Sequence, residues 1–153
     1  MWSFWAATVV FAAGAGVAAA QGPATPTAAE KAAIFKAAGF KQQGAGYTRC
    51  PDDPSVSKML GAIELEDLNK DGKAEAWVKE SSTYCYGNTA EAFVLVGKNV
   101  QGAWTILLDQ VGVPMTKAAK SNGWPDIEVG GPGMGPFPVF RYNAGVYKNI
   151  KSR

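Results

Sequence analysis

The run Ala62-Ile63-Glu64-Leu65-Glu66-Asp67-Leu68-Asn69-Lys70-Asp71-Gly72-Lys73-Ala74-Glu75-Ala76-Trp77-Val78-Lys79-Glu80 decides the fold. Its first five residues alternate apolar and acidic side chains, the pattern of a half-buried strand. Residues 74–80 put Ala74, Ala76 and Val78 on one face and Glu75, Trp77 and Lys79 on the other, as the two-residue period of a strand requires. Two strands joined by a short polar turn make an antiparallel hairpin. The chain is therefore expected to be built on a sheet rather than a helix bundle.

The turn itself carries chemistry. Asp67, Asn69 and Asp71 offer an oxygen at every second position, Gly72 supplies a sharp bend, the Lys73 carbonyl adds an oxygen and Glu75 closes the run. Such a set suits Ca²⁺, a hard cation that takes six to eight oxygens in a flexible shell. Without a cation, three carboxylates are crowded together, which costs free energy unless they are screened. The alternative reading is a polar hairpin turn with no metal. It is not an EF-hand, because the twelfth position is Val78 rather than Glu and both flanks read as strands.

The loop resembles the metal loops of FG-GAP and VCBS-type repeats, which follow a DxDxDGxxD pattern between two strands. Here Asn69 and Glu75 replace two of the acids, both with oxygen donors. The resemblance implies one calcium site over about a dozen residues. It implies no propeller, since those families use many tandem copies. More widely, the loop with Thr83-Tyr84-Cys85-Tyr86-Gly87, Gly123-Trp124-Pro125-Asp126-Ile127 and Gly130-Gly131-Pro132-Gly133 is similar to a group of small exported proteobacterial proteins. That likeness implies export and no particular activity. A weak internal echo aligns residues 71–78 with residues 122–129. In the second copy Lys120 stands at a ligand position, and its ammonium is expected to sit near Asp126 where a cation would be.

Working outward, Thr27 and Glu30 form a capping box. Ala32, Ile34, Phe35 and Ala38 then recur with helical spacing up to Gly39, which predicts one amphipathic helix. Residues 47–50 read as a short strand, and residues 83–86 extend or restart the hairpin. Residues 92–96 are continuously apolar, as in a central strand covered on both faces. Residues 104–108, 127–129, 139–142 and 146–148 read as further strands, with Asn143-Ala144-Gly145 as a turn. The expectation is α+β: one N-terminal helix packed on a twisted, mainly antiparallel sheet of about six strands.

Residues 1–20 are apolar and end in Ala18-Ala19-Ala20, which predicts a secretory signal peptide cut after Ala20, although no Lys or Arg precedes the run. An uncleaved membrane anchor is the other reading. Residues 21–27 form a linker and residues 28–153 a single domain. The expected location is the periplasm or the medium. In that setting Cys50 and Cys85 form one disulfide, worth about 3–4 kcal/mol for a loop of this length. Two buried thiols remain the alternative.

The composition narrows function. There is no histidine, so Ser-His-Asp and Cys-His nucleophile systems and imidazole zinc sites are excluded. A net charge of +2 is too balanced for a nucleic-acid partner. Glu64, Glu66, Glu80 and Glu91 offer no spacing that selects an acid–base pair, and the expectation is no enzyme. The leading reading is an exported, non-catalytic binding module with one structural Ca²⁺ and a protein or envelope polymer as partner. Trp77, Trp124 and Met134 are its expected partner surface. Stable membrane insertion after cleavage is not expected. The alternative is an inhibitor or immunity-type protein that plugs a secreted hydrolase such as a lysozyme, with residues 130–136 as the plug.

Overall fold

The computed structural model describes residues 25–55, 59–133 and 136–151. The expected signal peptide, the first part of the linker and Met134 lie outside the described residues. Helix α1 spans Ala28–Ala37 and is followed by a small hairpin, β1 (Lys41–Gln43) and β2 (Gly46–Thr48). Strands β3 (Met59–Glu66) and β4 (Glu75–Ser81) form the predicted hairpin. A single helical turn, α2 (Thr83–Tyr86), leads to β5 (Glu91–Lys98) and β6 (Trp104–Val111). Then come β7 (Val113–Ser121), β8 (Trp124–Gly130), β9 (Val139–Asn143) and β10 (Val146–Lys151).

The described residues are mostly strand, and all strand pairs are antiparallel. They do not make one sheet of six. They make two four-stranded meanders, β3-β4-β5-β6 and β7-β8-β9-β10, beside the β1-β2 hairpin. The break falls at Gly112, the one residue between β6 and β7. Its φ of 140° is open to glycine and strained for other residues. A side chain there would run into the Gly130 carbonyl and Val129, so the chain turns tightly from the first sheet into the second.

The first sheet is the middle of three layers. On one face, Ala76, Val78, Val94 and Val96 pack against Ile34, Phe35 and Ala38 of the helix and against Phe40. On the other, Trp77, Phe93 and Leu95 pack against Ile127, Val129, Phe140 and Tyr147 of the second sheet. Residues 92–96 are buried throughout, as their unbroken apolar run predicts. The helix begins as expected, with the Glu30 amide donating to the Thr27 hydroxyl at 3.2 Å. Ala32, expected on its inner face, is exposed.

Two other local expectations are corrected. Thr83–Tyr86 is a helical turn and not strand, because the Ser82 hydroxyl caps it by accepting from the Cys85 amide at 3.1 Å. Trp77 does lie opposite Ala76 and Val78, but that face meets the second sheet rather than water. It is 3% exposed and its indole N–H donates to Glu66 Oε2 at 2.8 Å. It therefore forms no part of a partner surface. Trp77→Ala should cost about 3–5 kcal/mol of folding stability, the scale for emptying a large aromatic site in a core. Urea denaturation checks this; a loss below about 1 kcal/mol, typical of surface sites, would contradict the buried placement.

Candidate functional site

The loop between β3 and β4 folds its polar side chains back over its own backbone. Asp67 accepts from two amides, that of Asp71 at 3.1 Å and that of Gly72 at 3.0 Å. Asn69 Oδ1 accepts from the Asp71 amide at 3.0 Å, and Asp71 Oδ1 from the Lys73 amide at 2.8 Å. Gly72, at φ 86°, permits the bend. Leu68 anchors the loop by inserting into the core between the sheets. These are the positions that the every-second-residue spacing singled out, and in the structure the Asp67, Asn69 and Asp71 side chains cap backbone amides of the same turn. The Lys73 side chain is exposed.

Glu75 is placed differently. It begins β4, is 4% exposed, and its Oε2 accepts from the Leu68 amide at 3.0 Å. Burial is the main force pushing its carboxyl up, to about 7, and the charges of Asp71 and Asp67 add to the rise; the Leu68 hydrogen bond opposes it. Among the described residues, no three His, Cys, Asp or Glu side chains converge closely enough to hold a metal ion. The donor chemistry still suits calcium. All the groups are hard oxygens, and each oxygen that accepts one backbone N–H has a second lone pair.

A second polar centre was not legible in the sequence. Glu80, whose spacing selects it for no acid–base pair, is 4% exposed. Its carboxylate accepts from the Thr48 hydroxyl, the Arg49 amide at 3.1 and 3.2 Å, and the Tyr86 hydroxyl at 2.5 Å. Arg49 then forms a bidentate pair with Asp109 at 2.8 and 3.0 Å. Cys50 and Cys85 are joined in a disulfide beside this network, with Cα atoms 6.1 Å apart. The contacts on Glu80 leave it a structural anchor, and long-range pairing of this kind has no local sequence signal.

The echo at residues 122–129 has a different filling from the one expected. Lys120 is exposed, and the cation beside Asp126 is Arg141, at 2.9 and 2.6 Å. Asp126 and Arg141 lie on adjacent antiparallel strands, where facing residues of opposite charge meet. The two loops are neighbours in space all the same: the Cβ position of Gly123 lies 3.6 Å from the Asn69 carbonyl. Trp124 is half-buried and stacked on Tyr142, with ring centroids 4.1 Å apart.

Comparison of the chain with protein-family models, with curated proteins and with solved structures finds no match.

The Glu75 carboxyl makes stability depend on pH when divalent cations are removed by a chelator. Its folded-state value lies above the ordinary 4.5, so folding favours the protonated form. That contribution is fully present below about pH 4.5 and is lost as pH rises through about 7. At 1.36 kcal/mol per unit the loss is on the order of 3 kcal/mol. Thermal melts in chelator should lose this contribution across the window in the wild type relative to Glu75→Gln; profiles of equal slope would contradict the assignment.

Proposed function

We propose that the chain is an exported, non-catalytic binding module whose 67–75 loop takes one structural Ca²⁺ and whose partner is a protein or envelope polymer. One observation carries this reading. Asp67, Asn69 and Asp71 gather on one short turn, and a buried Glu75 carboxyl beneath them is pushed up to about 7 in part by two of their charges. A divalent cation held by the Asp67, Asn69 and Asp71 side chains, the Lys73 carbonyl and Glu75 would relieve that repulsion.

Export is supported by the apolar run at residues 1–20 and by the Cys50–Cys85 bridge, since such bonds persist in oxidising compartments. A single site of this kind in an exported domain is expected to bind on the order of 10⁻⁴–10⁻³ M. That is weak, yet Ca²⁺ at ten times its dissociation constant would stabilise the fold by about 1.4 kcal/mol. The absence of histidine and the occupied state of Glu80 support a non-catalytic role.

Calorimetric titration with Ca²⁺, run beside Asp71→Ala, tests the site. One saturable event is expected in the wild type, with a raised melting temperature, and neither effect in the variant. No binding in the wild type up to about 10⁻² M, well above the range for extracellular modules, would reduce the loop to a polar turn.

A further inference from the structure

The loop, the 99–102 turn and the second sheet enclose an open pocket of about 270 Å³. One wall is aromatic. Trp124 and Tyr142 lie nearly parallel, 12° apart, and both remain half-buried although they pack against the core between the sheets. Tyr147 braces them from behind. It meets both rings edge-on, and its hydroxyl donates to the Pro125 carbonyl at 3.0 Å. The two rings are thus held face to face before anything binds, each with one face covered by the other.

The rest of the lining is polar. Asn69, Asp71, Lys73 and Asn99 stand on the loop and the turn, with Glu75 and Leu107 also in the lining. Lys98 is there too, but its ammonium is engaged by Glu30 at 2.9 Å. The proposed Ca²⁺ would engage Asp71 and Glu75, and Glu30 engages Lys98, so the Lys73 ammonium and the Asn99 side chain are the lining polar groups left to meet a ligand. What remains is the uncovered face of a stacked aromatic pair together with a few polar groups. Ligand sites take this form, an apolar wall with a few placed polar groups.

The geometry points to a sugar ring as the occupant. A pyranose has an apolar C–H face, which suits an aromatic plane, and a rim of hydroxyls that both donate and accept. The volume lies just below the roughly 300–1,000 Å³ range for ligand pockets, so it takes no more than one ring. The pocket is open, so the remainder of an oligosaccharide or polysaccharide chain runs out into solvent. This assignment deepens, and rests on, the reading of the protein as a module for an envelope polymer. Trp124 stacks on the ring, and the Lys73 ammonium donates to its hydroxyls.

The test uses the full chain with three soluble neutral probes, chitotriose, cellotriose and maltotriose. The tryptophan indole N–H resonances are followed, with retention on isolated envelope polysaccharide measured in parallel. At least one trisaccharide should shift the Trp124 signal saturably, with a dissociation constant near the millimolar scale. Trp124→Ala should abolish the binding, and Lys73→Ala, an exposed position, should weaken it several-fold. If Trp124→Ala fails to fold, Lys73→Ala decides alone. No shift with any probe at about 10 mM, ten times the millimolar scale, overturns the assignment. So does binding that is unchanged in both folded variants. If retention on envelope polysaccharide survives either result, the pocket is wrong and the binding module stands. If retention is also absent, both readings fall.

Discussion

Strand β5 has no face in contact with water, and that two-sided burial organises the rest of the molecule. Phe93 and Leu95 point into the core shared with the second sheet, while Val94 and Val96 point to the helix. Its neighbour β4 does the same with Trp77 on one side and Ala76 and Val78 on the other. A sheet buried on both faces needs a cover on each, and one chain of this length supplies them from its two ends. The helix comes before the first meander, and the second meander follows it. Fully burying one such side chain contributes about 1.5–3 kcal/mol relative to leaving it exposed. The two small cores therefore depend on the same pair of strands.

The polar parts of the structure solve the problems this arrangement creates. The β1-β2 hairpin and the segment after it have few apolar residues of their own. They are fixed instead by Glu80, which reaches out of β4 to hold Thr48 and Arg49, and by the Cys50–Cys85 bridge. Burying a carboxylate is costly unless hydrogen bonds compensate. Here a hydroxyl from β2, a backbone amide and the Tyr86 hydroxyl do so together. Ser82 serves the same region twice, capping α2 and donating to Asp53 at 2.7 Å.

What could be read from the sequence followed from local patterns. The capped helix, the β3-β4 hairpin, the two-faced β5 and the 143–145 turn each have a signal within a few residues, and each is present. The strand β7 went unread because it is an exposed edge strand carrying Pro114, with no apolar alternation to announce it. Missing β7 hid the second sheet, and that made Trp77 look solvent-facing although its face was assigned correctly. The same limit applied to polar pairs. Opposite charges at Asp126 and Arg141, or at Arg49 and Asp109, meet only once the strands are aligned. The acidic loop was legible because its oxygens are spaced within nine residues, whereas the aromatic wall facing it comes from β8 and β9, over fifty residues further along the chain.

Glu75 joins the loop to the fold. Its carboxyl sits under the loop, but its methylene carbon lies against Gly97 on β5, 3.5 Å from that residue's Cβ position, and Leu107 packs on the same spot. A side chain at 97 would press on the end of Leu107 and touch Glu75 at ordinary contact distance. The buried carboxyl, held by the Leu68 amide, meets its electrostatic demand where it stands. A proton meets it at low pH; the proposed cation would meet it at neutral pH. Charge compensation at this position thus acts on the packing between β4, β5 and β6, not only on the order of a surface turn. A cation bound there, as proposed, would stabilise the first sheet as well as the loop, on the rim from which Asn69 and Lys73 face the aromatic pair on the second.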